Sequence, residues 1–213
     1  VHLLGVAPTP AIAFASERHG HAAIALTASH NPWTDNGVKV FAAGGTKLTD
    51  AQQIEIEREW HALSTGRPAV ALRAVHDASA MVEEYVEHRI GVVGAGSLAR
   101  LHVVLDCANG AMSDVAPRAF AALGATVIAI NDEPNGRNIN EGCGSTHLEP
   151  LQRAVLAHGA ELYGQNCVQC HGNNISNFPD LKVSPAIQTQ AAFDAIVLDG
   201  ARAPSPTLIA RSA

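Results

Sequence analysis

Large aromatic side chains are scarce in this sequence, making up 4% of its 213 residues as five Phe, two Tyr and two Trp. That excludes a core built on rings and leaves burial to Ala, Val, Ile and Leu. Positive charge is thin as well. Fourteen Lys and Arg against twenty Asp and Glu give a formal charge of −6. No basic cluster could track a phosphate backbone, so nucleic acid is not an expected partner. No apolar run approaches the roughly 20 residues needed to cross a bilayer, so no membrane span is expected. The opening Val1-His2-Leu3-Leu4 has no charged region leading into an apolar one, which points to a cytoplasmic location. It also starts within what reads as a strand, so the native N-terminus is expected upstream. Of the four cysteines, Cys107, Cys143, Cys167 and Cys170, only the last two have motif spacing, which argues against a disulfide framework.

What is present is an ordinary globular composition, 47% hydrophobic and 16% charged with 18 Gly and 11 Pro, in a chain long enough for one large domain or two small ones. A short strand is expected at residues 3–6. A helix follows from 9 to about 19, with Pro10 in its first turn where a missing N–H costs least. Residues 22–27 form an apolar run short enough to be a buried strand. The polar loop 28–37 and a second strand at 38–42 come next, ending at Gly44-Gly45. Thr49 and Gln52 have the form of a capping box, and the helix they start places Ile54, Ile56, Trp60 and Leu63 on an apolar side. It is expected to stop near Thr65-Gly66.

A further helix over 77–90 would bring Val82, Tyr85, Val86 and Ile90 together. Strand 101–105, a turn at Asn109-Gly110, helix 111–123, Gly124 as a stop and strand 125–130 read as a βαβ unit, which implies a parallel sheet. Residues 131–145 are a polar loop and 147–158 another helix. Beyond Leu162 the texture changes to a Gly-, Asn- and Pro-bearing stretch with little periodicity until 191–198. The expected division is 1–76, 77–162 and 163–213.

A serine on a turn between strands, flanked by Asn and Gly that let backbone N–H groups point inward, can hold a phosphoryl group and pass it on. Ser-His-Asn-Pro by itself is equally an ordinary turn with Asn before Pro. Three segments in order carry more: Gly5-Val6-Ala7-Pro8-Thr9-Pro10-Ala11, then Thr27-Ala28-Ser29-His30-Asn31-Pro32, then Asp35-Asn36-Gly37-Val38-Lys39-Val40-Phe41. Together they resemble the α-D-phosphohexomutase superfamily. The string Asn138-Ile139-Asn140-Glu141-Gly142-Cys143-Gly144-Ser145-Thr146-His147 is similar to the phosphoglucosamine mutase branch in particular, and the resemblance runs from residue 1 to about 162.

The resemblance implies two α/β domains of phosphohexomutase type, the first truncated at its N-terminus, over 1–76 and 77–162. It implies a phosphosugar substrate, glucosamine 6-phosphate or 1-phosphate. Ser29 matches the family's phosphoserine, His30 the loop histidine that supports transfer, and Lys39 a basic residue near the reacting phosphate. Mg²⁺ is implied too, held by the serine phosphate and three aspartates of an Asp-Gly-Asp-x-Asp-Arg loop. That loop should follow Gly159-Ala160-Glu161-Leu162 and does not, because Asp180, Asp194 and Asp199 are scattered. Only Ser29 remains of the metal shell. Since phosphoryl transfer rests on positioning and charge neutralisation, the resemblance implies an incomplete, non-turning enzyme that also lacks the family's C-terminal domains.

Cys167-Val168-Gln169-Cys170-His171 has the spacing of a c-type haem attachment sequence, in which two thiols reach the haem vinyl groups and the adjacent His reaches the iron. A thioredoxin-like dithiol or half of a zinc site remain alternatives. With the flanks Glu161-Leu162-Tyr163-Gly164-Gln165-Asn166 and Phe193-Asp194-Ala195-Ile196-Val197-Leu198-Asp199-Gly200, the motif resembles the C-terminal cytochrome c domain of quinohaemoprotein alcohol dehydrogenases. That implies a small, mostly helical cytochrome c-like segment over 163–213, with haem c on Cys167 and Cys170 and its iron on His171. The Met that such domains use as sixth ligand has no match, since Met81 and Met112 both precede the motif. A c-type haem electron-transfer module, and a gene fusion or assembly artefact without function, are therefore the alternative readings.

Overall fold

The computed structural model describes residues 1–64 and 74–166. The expectations at Thr65-Gly66 and over 167–213, with Cys167, Cys170, His171 and the segment 191–198, lie outside the described residues. The chain is a mixed α/β protein. Its elements run β1 (His2–Leu3), α1 (Thr9–His19), β2 (Ala23–Thr27), β3 (Gly37–Phe41), α2 (Asp50–Ser64), β4 (His76–Asp77), α3 (Ala80–Val93), β5 (His102–Asp106), α4 (Val115–Ala122), β6 (Thr126–Ile130), a 3-10 turn (Gly144–Thr146) and α5 (Glu149–Asn166). No helix among the described residues is long and apolar enough to cross a membrane.

Helix α1 forms as its sequence implies. Pro10 occupies the first turn, and the Pro8 carbonyl accepts the N–H groups of Ala11 (2.8 Å) and Ile12 (3.2 Å). Gly20 ends the helix in the left-handed conformation at φ 67°, which a Cβ would resist. Its inner face is built of small residues. Ala11, Ala15 and Ser16 are all buried, so the backbone of the following turn comes close. The Ser16 hydroxyl lies 3.1 Å from the Ala42 carbonyl, also bonds the His21 carbonyl, and accepts the Gly45 N–H at 3.1 Å. One buried hydroxyl therefore ties α1 to the turns after it and after β3.

Strand β1 is shorter than expected, because Gly5 turns the chain at φ 73°. It pairs in parallel with β4 through His2↔His76 and Leu3↔Asp77. Strands β2 and β3 form an antiparallel hairpin with Ala25↔Lys39 and Thr27↔Gly37 in register. The expectation that β2 is a buried strand needs correcting. Ala25 is buried, but Ile24 and Leu26 on the other face are 64% and 80% exposed. Side chains alternate across a strand, and only the Ala25 face is turned inward among the described residues.

Helix α2 opens on the expected capping box. The Thr49 N–H donates to Gln52 Oε1 at 2.9 Å and the Gln52 N–H to Thr49 Oγ1 at 3.3 Å, satisfying two otherwise orphaned donors. Helix α3 starts three residues later than its pattern suggested, since the Asp77 carboxylate takes the Ser79 N–H at 2.9 Å and holds a turn there. Its apolar side packs as expected. Val82 and Val86 join Val115 of α4 in a buried cluster, covered by Leu4, Ala7, Tyr85, Ile90 and Ala119. Phe14 of α1 meets Tyr85 edge-on at 5.8 Å, and Arg118 of α4 grips Glu83 of α3 with two bonds of 2.8 and 3.0 Å.

The βαβ unit is present. Strands β5 and β6 pair in parallel from His102↔Thr126 to Asp106↔Ile130, with α4 between them in the chain. Helix α4 begins at Val115, not at 111, because 107–114 are taken up by turns. Gly110 donates to the Cys107 carbonyl at 2.9 Å, and the Ser113 hydroxyl to the Gly110 carbonyl at 2.8 Å. Helix α5 starts at Glu149 and continues to Asn166, eight residues beyond the expected end at 158. Residues 1–154 form one compact unit, and a second begins at Val155 within α5.

Candidate active site around the serine loop

Strand β2 delivers the chain to the serine loop and β3 takes it away. The loop is two successive turns, with the Asn31 N–H on the Ala28 carbonyl at 2.9 Å and the Asp35 N–H on the Pro32 carbonyl at 3.0 Å. Asn36 closes it by donating its side-chain amide to the Trp33 carbonyl at 2.6 Å. Ser29 sits in the left-handed region at φ 54°. For a residue with a Cβ that conformation costs about 1–2 kcal/mol, so it persists only where neighbours hold it. One such neighbour is local, since the Ser29 N–H donates to Thr27 Oγ1 at 3.0 Å.

Ser29 and His30 are brought together, with Ser29 Oγ 3.3 Å from His30 Nδ1, both side chains exposed. In the tautomer with Nδ1 unprotonated, the hydroxyl donates to the ring and the imidazole can take its proton. Lys39 lies on β3, the strand that leaves the loop. It faces Ala25 across the hairpin and lines an open groove of about 790 Å³ between β3 and α2, together with Phe41, Leu48, Ile56 and Trp60.

A second loop, between β6 and α5, reaches the serine loop from far along the chain. The Asn140 side-chain amide donates to the Ser29 carbonyl at 2.9 Å and to the Asn31 carbonyl at 2.8 Å. The Arg137 guanidinium lies over the Trp33 ring, 5.6 Å from its centroid. Asp106, at the end of β5, secures this second loop. Its carboxylate accepts the Ala108 N–H (3.0 Å), the Asn131 amide (3.1 Å) and the Gly144 N–H (2.9 Å). Gly144 has φ 72°, and a Cβ there would come within 2.7 Å of Ala108 Cβ, so nothing larger fits. The Asn140 N–H closes the knot on the Ala108 carbonyl at 2.9 Å.

These contacts were not anticipated from the sequence, which singled out the string 138–147 only for its resemblance. The visible signals were an Asp at a strand end and several Asn among glycines, the residues that tolerate left-handed backbone. Cys107 and Cys143 lie in the same knot, buried. Burial, and after it nearby carboxylates led by Asp132 for Cys107 and by Asp106 for Cys143, push both thiols above their ordinary range. They are held neutral and poorly nucleophilic.

Among the described residues, no group of three or more His, Cys, Asp or Glu side chains is placed to hold a metal ion. Those residues therefore do not assemble around Ser29 the Mg²⁺ shell that the resemblance implies.

Comparison with known proteins puts these observations in a family context. Residues 1–67 match the family described as phosphoglucomutase/phosphomannomutase, alpha/beta/alpha domain I. The phosphoglucosamine mutase of Mycobacterium tuberculosis (strain ATCC 25618 / H37Rv) is 50% identical over 164 residues, covering 75% of this chain and 36% of the relative. Those of Rhodococcus opacus (strain B4) and Rhodococcus erythropolis (strain PR4 / NBRC 100887) are 49% identical over 162 and 48% over 165 residues, with the same shares covered. The chain thus spans about a third, 36%, of the length of these curated relatives. Over that N-terminal part the chain is homologous to phosphoglucosamine mutase, and its residues 156–207 match the cytochrome c family from a point inside α5.

Proposed function

We propose that residues 1 to about 162 are a phosphoglucosamine mutase segment, organised as phosphohexomutase-type domains over 1–76 and 77–162, in which Ser29 is the phosphoryl carrier. The observation that carries this is the strained, exposed Ser29 with His30 at its hydroxyl, set in a segment half identical to those enzymes. The step transfers phosphate from a hexosamine 1,6-bisphosphate. The bond between phosphorus and one sugar oxygen breaks, a bond from phosphorus to Ser29 Oγ forms, and the serine proton passes to His30. The departing sugar oxygen takes a proton from solvent, and a hexosamine monophosphate leaves. Lys39, on the strand leaving the loop, supplies positive charge toward the incoming phosphates.

Mg²⁺, where the family binds it, neutralises phosphate charge. The described residues do not supply its carboxylates, and the sequence after Leu162 does not spell the aspartate loop. The 213-residue chain is therefore proposed to accept one phosphate at Ser29 without turning over, in the cytoplasmic setting expected for amino-sugar metabolism. Incubation with glucosamine 1,6-bisphosphate followed by intact mass should show a single phosphate adduct, absent from Ser29→Ala. An unmodified wild-type chain would remove this reading.

A second reading is favoured by the cytochrome c match over 156–207 and the Cys167, Cys170, His171 motif: a c-type haem electron-transfer segment over 163–213. Export of the chain with haem-maturation machinery should then give a Soret band and a covalent haem mass on Cys167 and Cys170. Their absence ends it. The cytochrome c match begins inside α5, close to residue 162 where the mutase resemblance ends, which favours a gene fusion or assembly artefact over a dual enzyme. Continuous genomic sequence across codons 155–165 in independent clones would remove the assembly-artefact reading.

A further inference from the structure

We propose that Asn140 is a positioning residue for the serine loop: its side-chain amide holds the Ser29 and Asn31 carbonyls and so keeps Ser29 left-handed. The proposal deepens the phosphoserine reading and rests on it for its chemical consequence, while the clamp itself is geometric. Both hydrogens of Asn140 Nδ2 are used, toward Ser29 O at 2.9 Å and Asn31 O at 2.8 Å. Two carbonyl acceptors can be met only by the NH₂ end of the amide, which fixes its orientation.

One of the two carbonyls belongs to the residue that carries the strain, and the other lies two residues further on. Ser29 alone in the loop has a positive φ, and its local support is one bond from its own N–H to Thr27. Fixing the carbonyl of Ser29 and that of Asn31 sets peptide planes 29–30 and 31–32, which flank the His30–Asn31 peptide. That determines where the Ser29 hydroxyl and the His30 ring can meet. Asn140 is itself fixed from behind. It lies at φ 59°, a conformation Asn tolerates, and its N–H bonds the Ala108 carbonyl at 2.9 Å. Arg137 over Trp33 adds a second tie between the same two loops. The clamp thus couples the end of β5, through Asp106 and Gly144, to Ser29, which Asn140 reaches from 111 residues along the chain.

Two substitutions separate the clamp from the backbone. Asn140→Asp keeps the shape but turns a carboxylate toward two carbonyls, and Asn140→Gly keeps the positive φ but removes the amide. Amide hydrogen exchange of the 213-residue chain should rise about tenfold in peptides covering 28–31, while β5 and β6 keep their protection. The Ser29 adduct formed from glucosamine 1,6-bisphosphate should appear about tenfold more slowly at saturating donor, with the half-saturating donor concentration unchanged. A merely structural role would not produce that split. Unchanged exchange at 28–31 in either folded variant would overturn the proposal whatever the phosphate result. Global unfolding of both variants would overturn it too, because an exposed clamp predicts a local effect. A wild-type chain that takes no phosphate, with exchange at 28–31 still raised in the variants, would remove the phosphoserine reading and leave the clamp supported.

Discussion

Replacing Asp106 by Asn would test whether the knot behind the serine loop is held by a charge or only by shape. The Asp106 carboxylate accepts three hydrogen bonds, two on Oδ1 from the Ala108 N–H and the Asn131 amide, and one on Oδ2 from the Gly144 N–H at 2.9 Å. In Asp106→Asn the remaining carbonyl oxygen can keep the first two. The new NH₂ group then faces the Gly144 N–H, donor against donor. One charge-assisted bond is lost and a partly buried N–H is left without an acceptor, a cost of about 2 kcal/mol. That corresponds to roughly a 30-fold shift in a local opening equilibrium.

The loss should concentrate where Gly144 is anchored. Native-state hydrogen exchange should show residues 138–147 opening faster by about that factor, with a smaller rise at 28–31 carried through Asn140. Urea unfolding followed by circular dichroism should show a lower midpoint with an unchanged slope. Asp106→Ala, which removes both acceptor oxygens and with them all three bonds, should do more. If Asp106→Asn matches wild type in both measurements, the carboxylate does not hold the loop and the coupling from β5 to the serine loop fails.

Ser16→Ala should lower the urea midpoint by an amount equivalent to about 1–3 kcal/mol, because the partly buried Gly45 N–H loses its acceptor and two carbonyls lose a donor; a neutral result would mean that the turn after β3 re-pairs without it. A double-mutant cycle between Arg118 and Glu83, bidentate but about half exposed, should give a coupling of about 0.5 kcal/mol that shrinks in high salt, and a salt-independent value would contradict a surface ion pair. Partial desolvation lowers the His2 pKa from 6.5, aided by the chain's amino group and by His21, His76 and His19. The folded chain thus binds its proton less readily than the unfolded one, so thermal stability should fall as pH drops through about 6.5 and His2→Gln should flatten the fall; a slope unchanged by the substitution would sink the assignment.

Much of the fold was legible because it is local. The Pro10 and Gly20 punctuation of α1 and the Thr49–Gln52 box of α2 depend on residues within a few positions of one another, and the β5–α4–β6 crossover on strands separated by one helix in the chain. Helix starts were misplaced where an aspartate captured the chain first, Asp77 before α3 and Asp106 before the turns that delay α4. The apolar run 22–27 marked β2 as a buried strand, but burial of a strand depends on what covers each face, and that is not written in the strand. The Ser29–His30 pair was legible for the same local reason. The Asn140 clamp was not, because a bond between residues 111 apart leaves no spacing to read. The α5 boundary was missed because the helix continues to Asn166, past the point where the sequence texture changes.

The central claim is that Ser29 accepts a phosphate which this chain cannot cycle. Rapid-quench measurement of hexosamine monophosphate released from glucosamine 1,6-bisphosphate by the purified 213-residue chain tests it directly. One equivalent per chain should appear as a burst and then stop, and Ser29→Ala should give none. No burst, or steady interconversion of glucosamine 6-phosphate and 1-phosphate beyond it, would contradict the claim.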